Sequence, residues 1–240
     1  MKFIEDLTNA LDAKDLGRCL ELLDQTPDHI LSSPEAQFLT GRVLIEAGRN
    51  SEALVHLEYA ANAVSLDAVD DVLQVARVLL SCGGDSASKH LLSKLLTTQV
   101  PSSFSFTQLE GITDLYLIME SPENALTILS SCYSHYENQA NFLEFLELLG
   151  KAFAHSDSVW EELEVYLLGL KIEPFNTRLH HSISRALSKL SLFDDANTHL
   201  EFIEKLNPDF KRKAIALDYF QACKSGSFET QERLKKQWLQ

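Results

Sequence analysis

Arg178, His181, Arg185 and Lys189 follow one another at steps of three, four and four residues, a spacing that lays side chains along one side of an α-helix. Their chemistry suits an anion: Arg offers a planar fork of donors to a carboxylate, and Lys adds a compact positive charge. The stripe also has a plainer reading, as a solvated helix face. Its cations would then pair with Glu173, Asp194, Asp195 or acids of the preceding segment, at only about 0–1 kcal/mol per exposed pair.

Other side chains with chemical potential lack the partners that reactions need. Gly83-Gly84 has neither the Lys-Ser/Thr of a phosphate loop nor the glycine spacing of a dinucleotide fingerprint, and it reads as a turn between helices. His180 and His181 are adjacent, so on a helix they diverge by about 100° and cannot share one metal ion. His155 and Asp157 fall at a turn, and His135 neighbours Tyr136 in a polar loop, none with the partners of acid–base or nucleophilic catalysis. Cys19, Cys82, Cys132 and Cys223 have no paired spacing. Three of them fall on core-facing helical positions, where Cys behaves as a small hydrophobe. The expectation is a chain without catalytic residues, metal or cofactor.

The elements that must carry the basic stripe are helices, because a period runs through the chain. Pro174 and Pro208 stand 34 residues apart by subtraction, each closing the same pattern. Leu149-Gly150, Phe153, Tyr166 and Gly169 lead to Lys171-Ile172-Glu173-Pro174, and Ile183-Ser184, Leu187, Ala196, Leu200 and Ile203 lead to Lys205-Leu206-Asn207-Pro208. A fixed period of this size marks a stacked helical repeat. Strand signals are nearly absent, and 9 Gly and 6 Pro are few, as helices require. Ser33-Pro34-Glu35 and Ser121-Pro122-Glu123 read as helix starts, with Ser at the cap and Pro in the first turn. Asp15-Leu16-Gly17 and Leu192-Phe193-Asp194-Asp195 sit where turns between helices belong.

The period, the small residues within each unit and the closing Pro resemble the tetratricopeptide repeat. The match is densest in the unit starting near Pro34, with Gly41, Leu44, Gly48, Ala53, Leu57 and Ala60. Ala76, Leu79, Gly83, Ser88, Leu92 and Leu95 follow in the unit near Val69, and Thr113, Tyr116, Ala125, Leu129 and Cys132 in the one near Phe106. Units then start near residues 1, 34, 69, 106, 143, 177 and 211, the last acting as a cap, with Pro101-Ser102-Ser103 and Asn138-Gln139-Ala140 as connectors. The resemblance implies an all-α fold, an α-solenoid of about seven stacked antiparallel helix hairpins in a right-handed superhelix, forming a single domain over 1–240.

In that family the first helix of each hairpin lines a concave groove at positions 2, 5, 9, 12 and 13 of the unit. Carried over residue by residue, these positions hold Arg178, His181, Arg185 and Lys189 in the sixth unit, and Arg212 and Tyr219 belong to the seventh. Arg42 and Arg77 hold position 9 of the second and third units, and Glu110, Asp114, Glu144 and Glu147 come from the fourth and fifth. The groove so implied runs from basic to acidic to strongly basic. The Lys/Asn set by which some members clamp a chain-terminal carboxylate is missing here.

Charge bears on partners. Residues 1–94 carry 8 Lys/Arg against 15 Asp/Glu, residues 95–170 carry 1 against 11, and residues 171–240 carry 12 against 9. The net of −14 argues against nucleic acid and against anionic lipid as partners, since both need a basic face. The acidic stretch could attract a basic partner segment, but the favoured reading is that it keeps a long array soluble. The start Met1-Lys2-Phe3-Ile4-Glu5-Asp6 turns acidic where a signal peptide would be apolar, and unpaired thiols fit a reducing cytoplasm. The expectation is a cytoplasmic, non-enzymatic scaffold binding a protein or peptide partner with an acidic segment in the concave groove. Two rivals stand beside it: the docking or regulatory arm of a larger enzyme such as a glycosyl- or sulfotransferase, and a homo-oligomer in which the basic end of one copy engages the acidic middle of another.

Overall fold

The computed structural model describes residues 2–206 together with Thr230 and Arg233. These contain thirteen α-helices: α1 (Lys2–Asp12), α2 (Leu16–Gln25), α3 (Asp28–Leu31), α4 (Pro34–Glu46), α5 (Asn50–Ala63), α6 (Val69–Ser81), α7 (Asp85–Thr98), α8 (Phe106–Ile118), α9 (Pro122–Tyr136), α10 (Phe142–His155), α11 (Val159–Ile172), α12 (Thr177–Lys189) and α13 (Phe193–Leu206). Twelve of them come in pairs joined by a short turn. The first helices of the six pairs begin at 2, 34, 69, 106, 142 and 177, within one residue of the starts read from the period. The short α3 and a 3-10 turn at Pro101–Ser103 occupy connectors. Arg212, Tyr219, Pro208, Cys223 and Trp238 lie outside the described residues.

One backbone turn recurs in all six described pairs. Each first helix ends on a residue with left-handed φ: Lys14 (56°), Gly48 (73°), Gly83 (84°), Glu120 (51°), Asp157 (55°) and Ser191 (62°). The following N–H closes back onto a carbonyl five residues earlier, as in Arg49 to Leu44 (2.8 Å), Ser121 to Tyr116 (2.9 Å) and Leu192 to Leu187 (2.9 Å). This bond satisfies an orphan carbonyl of the helix end and turns the chain back. The turns therefore lie at Ala13–Asp15 and Ser191–Leu192, just before the residues the sequence pointed to. Leu16 and Phe193 already open the second helices.

Side-chain caps mark the starts of α2, α4, α8 and α12, whereas α5, α6, α7, α10 and α11 begin without one. Ser33 Oγ accepts from the Ala36 N–H at 3.2 Å with Pro34 next in line, as the sequence suggests. Ser105 and Gln108 form a reciprocal capping box on α8. Asn176 Oδ1 accepts from the N–H groups of Arg178 (3.0 Å) and Leu179 (3.1 Å) and so caps α12. Ser121, read from the sequence as a cap, has its Oγ donating back to the Met119 carbonyl at 3.1 Å, a bond of the turn and not of the α9 start.

The chain divides into two compact units, residues 1–135 and 136–240. In the first, Leu7, Ala10, Cys19, Leu39 and Val43 form a core among α1, α2 and α4. Phe104 of the connector before α8 is buried, as its place between hairpins suggests. In the second, Leu163, Tyr166, Leu179, Ile183, Ala186, Leu187 and Ala196 join α11, α12 and α13. Small residues set how closely helices approach. A Cβ on Gly41 would lie 2.6 Å from Leu57 Cγ, and one on Gly150 would enter the Tyr166 ring. Cys19 and Cys132 are buried and Cys82 is half-buried. Among the described residues no helix is long and apolar enough to cross a membrane.

Candidate functional site

In the second unit, α12 separates cleanly into two sides. Leu179, Ile183, Ala186 and Leu187 face the core, while Arg178, Arg185 and Lys189 are exposed and His181 is half-buried on the other side. The buried side comes from the apolar spacing that makes the helix amphipathic. The stripe expected from residue spacing therefore exists as a helix face.

Its four members differ in what surrounds them. Lys189 Nζ donates to Glu162 Oε2 at 3.0 Å, and the Glu162 side chain is only 4% exposed. This Lys is committed to neutralising a buried carboxylate. At the other end, Arg178 lies in the field of Glu147 on α10. Asn176 Nδ2 donates to Glu173 Oε2 at 3.1 Å and reaches Glu147 Oε1 at 3.5 Å, so two carboxylates converge on the nitrogen beside Arg178. Burial raises Glu147 above the usual carboxylate range and Glu144 and Glu173 reinforce this, while Arg178 and Asn176 pull it down. Among the described residues neither Arg178 nor Arg185 makes an ion pair, and Arg185 lies two turns further along α12. Its neighbour is the hydroxyl of Tyr166, which burial first, and Glu162 next, push up to about 12 while Ser182 and Arg185 act against them. That hydroxyl keeps its proton at neutral pH.

Glu162 and Tyr166 are the residues that stripe spacing alone does not reveal. Both sit on α11, the second helix of its pair. They reach α12 because Gly150 on α10 leaves room for the Tyr166 ring. The signal was present in the sequence as a glycine facing an aromatic one helix later, but it reads there as repeat packing.

Beneath Arg178, His180 is buried. Its Nε2 lies 2.9 Å from the Pro174 carbonyl oxygen, which can only accept, so Nε2 carries the hydrogen. The Nδ1 atom then accepts from His199 Nδ1 at 2.7 Å. The two neighbouring histidines of α12 thus point apart, His180 into this network and His181 toward the stripe.

In the first unit, Arg42 is half-buried and borders two clefts. One, of about 500 Å³, runs between α4 and α6 past Phe38, Leu39, Asp71, Gln74 and Val75. The other, of about 470 Å³, includes Asp12, Lys14, Cys19 and Glu46. Arg77 is exposed with Nη2 lying 3.0 Å from where a Gly111 Cβ would be. Glu110 is exposed and Asp114 half-buried on α8, as Glu144 is exposed and Glu147 half-buried on α10. Among the described residues no group of three or more His, Cys, Asp or Glu side chains could hold a metal ion.

No family model matches the sequence, and no curated protein matches it. Solved structures do. The C-terminal part of a TPR repeat-containing protein from Cytophaga hutchinsonii is similar over 98% of this chain and 94% of its own, with a TM-score of 0.60 at 11% identity. MamA from Desulfovibrio magneticus RS-1, from residue 41 to its end, is similar over 73% of this chain and 96% of its own, with a TM-score of 0.50 at 15% identity. With helices paired through one recurring turn and no strand among the described residues, the chain has the all-α solenoid fold of tetratricopeptide-repeat proteins.

Proposed function

We propose that the protein is a non-enzymatic interaction scaffold whose first-helix faces bind a protein or peptide segment bearing acidic groups. The observation that carries this reading is the exposure of Arg178 and Arg185 two turns apart on α12, whose opposite side is fully engaged in the core. A guanidinium held on a rigid helix and open to solvent is well placed to grip a carboxylate with paired hydrogen bonds. Arg42, between its two clefts, offers a second cation with apolar surface beside it. The acids Glu110, Asp114, Glu144 and Glu147 belong to the same reading as groups that select against wrong partners by repulsion.

The test is direct. An array of peptides differing in acidic content is offered to the intact chain and to Arg178→Glu/Arg185→Glu, with circular dichroism as a folding control. The double variant keeps its helicity and loses acidic-peptide capture. Unchanged capture would remove the α12 face from the proposal.

A further inference from the structure

The face of α12 looks like a run of cations in the sequence, yet its members are not equivalent in the fold. Lys189 is spent on Glu162 at 3.0 Å, a carboxylate whose side chain is only 4% exposed. Arg178 stands among Glu144, Glu147 and Glu173, two of which converge on Asn176 Nδ2. That end of the helix face is net negative despite the Arg. Arg185 is exposed and makes no ion pair among the described residues, and the acid of the facing helix, Glu162, is already engaged by Lys189. An exposed guanidinium offers one carboxylate two parallel N–H donors.

We propose that Arg185 is the single anchoring cation of this face, and that its ligand places one carboxylate there and a neutral or basic group, not a second acid, toward the α12 N-terminus. This rests on the scaffold reading above and narrows its partner from an acidic run to a segment with an isolated acid. Arg178 and Arg185 are separated by two helical turns, about 10 Å of rise. An extended ligand covers that in about three or four residues, so a second acid at that spacing would lie against Glu147 and Glu173. Like charges brought together in a partly desolvated contact cost several kcal/mol in general, enough to reverse a preference.

Fluorescence anisotropy with labelled ten-residue peptides on the intact chain tests this. Four peptides are used, otherwise neutral and identical, carrying Gln and Gln, Gln and Glu, Lys and Glu, or Glu and Glu four residues apart, each in both orders. In one of the two orders the Gln-Glu and Lys-Glu peptides bind at least tenfold more tightly than Gln-Gln, and Glu-Glu binds more weakly than Gln-Glu. Arg185→Gln removes the gain from the single Glu, while Arg178→Gln leaves most of it. Glu147→Gln/Glu173→Gln lifts the penalty on the second Glu. Arg185→Lys restores part of the binding, which separates loss of an anchor from a damaged helix. If Glu-Glu binds as tightly as Gln-Glu or more so, or if Arg178→Gln is as damaging as Arg185→Gln, the single-anchor assignment is overturned while acidic-segment binding survives. If no Glu-containing peptide exceeds Gln-Gln, both fall.

Discussion

Glu162 Oε2 and Lys189 Nζ meet at 3.0 Å across α11 and α12, with the Glu162 side chain 4% exposed and the Lys189 side chain 34% exposed. The pair joins two successive hairpins through charge rather than through apolar packing. Because the carboxylate is buried and the ammonium is partly wet, the two residues are unequal. Removing the Lys strands a buried charge, whereas removing both leaves only a polar-to-apolar exchange.

Lys189→Ala therefore destabilises the protein by about 2–4 kcal/mol, and Glu162→Leu/Lys189→Met recovers most of the loss. Urea unfolding followed by circular dichroism reads both. A single variant within about 0.5 kcal/mol of the parent would mean that Glu162 is solvated or protonated in its place.

Gly150 and Tyr166 give a second stability prediction. A methyl group at 150 enters the aromatic ring, while one at 41 meets the movable end of Leu57. Gly150→Ala costs about 2–3 kcal/mol by overpacking and Gly41→Ala distinctly less, since a leucine can change rotamer and a ring wedged between helices cannot. Tyr166→Leu in the Gly150→Ala background relieves the clash. Thermal melts of the parent and the three variants decide it, and equal losses at both glycines would contradict the contact geometry.

The left-handed turn residues predict gains instead of losses. Ser191→Gly and Glu120→Gly place glycine where φ is 62° and 51°, and each stabilises by about 0.5–1 kcal/mol because an L side chain is strained there. Gly48→Ala destabilises by a similar amount although nothing lies within 4 Å of the added carbon. A neutral Gly48→Ala in chemical denaturation would show that the turn relaxes.

His199 sets a pH dependence. Burial first, and the neighbouring His180 next, hold it below its ordinary 6.5. The folded state thus binds fewer protons than the unfolded chain, so this stabilising contribution is present above pH 6.5 and is lost as the pH falls through the lowered folded value. Half-buried His56, held down by burial and bonded to Gln37 Oε1 at 2.6 Å, acts in the same direction. Between pH 7.5 and 5.5 the parent loses stability, and His199→Leu reduces the pH slope while lowering stability overall. An unchanged slope in the variant would show that the histidine pair does not titrate with unfolding.

The fold was readable because Pro174 and Pro208 set the phase of the period, and phase carries over from one hairpin to the next. Helix starts followed from that phase together with Ser33 and Pro34, whose capping chemistry is local. The face of α12 was readable for the same reason: which side of an amphipathic helix is wet follows from its apolar spacing. What the stripe does electrostatically was not. The partner of Lys189 lies 27 positions earlier, by subtraction, at Glu162, and the acid whose field Arg178 shares lies 31 positions earlier at Glu147. Which acid meets which cation depends on how closely helices approach, and glycines such as Gly150 determine that through contacts the linear pattern does not rank. Two of the turns, read at Asp15–Gly17 and Leu192–Asp195, were displaced by one or two residues because their left-handed positions hold Lys14 and Ser191, neither of which announces such a conformation as glycine does.

Those six turns share a hydrogen-bond pattern and not a residue. A turn cut from one hairpin is therefore geometrically compatible with any other, and grafting the Leu44–Arg49 segment in place of Leu187–Leu192 would exchange letters while leaving the path of the chain intact. The hairpins behave as interchangeable modules at their bends and as individuals on their faces. Under the proposed function, binding preference would be rewritten one first helix at a time, with the bends as ready-made junctions for recombination.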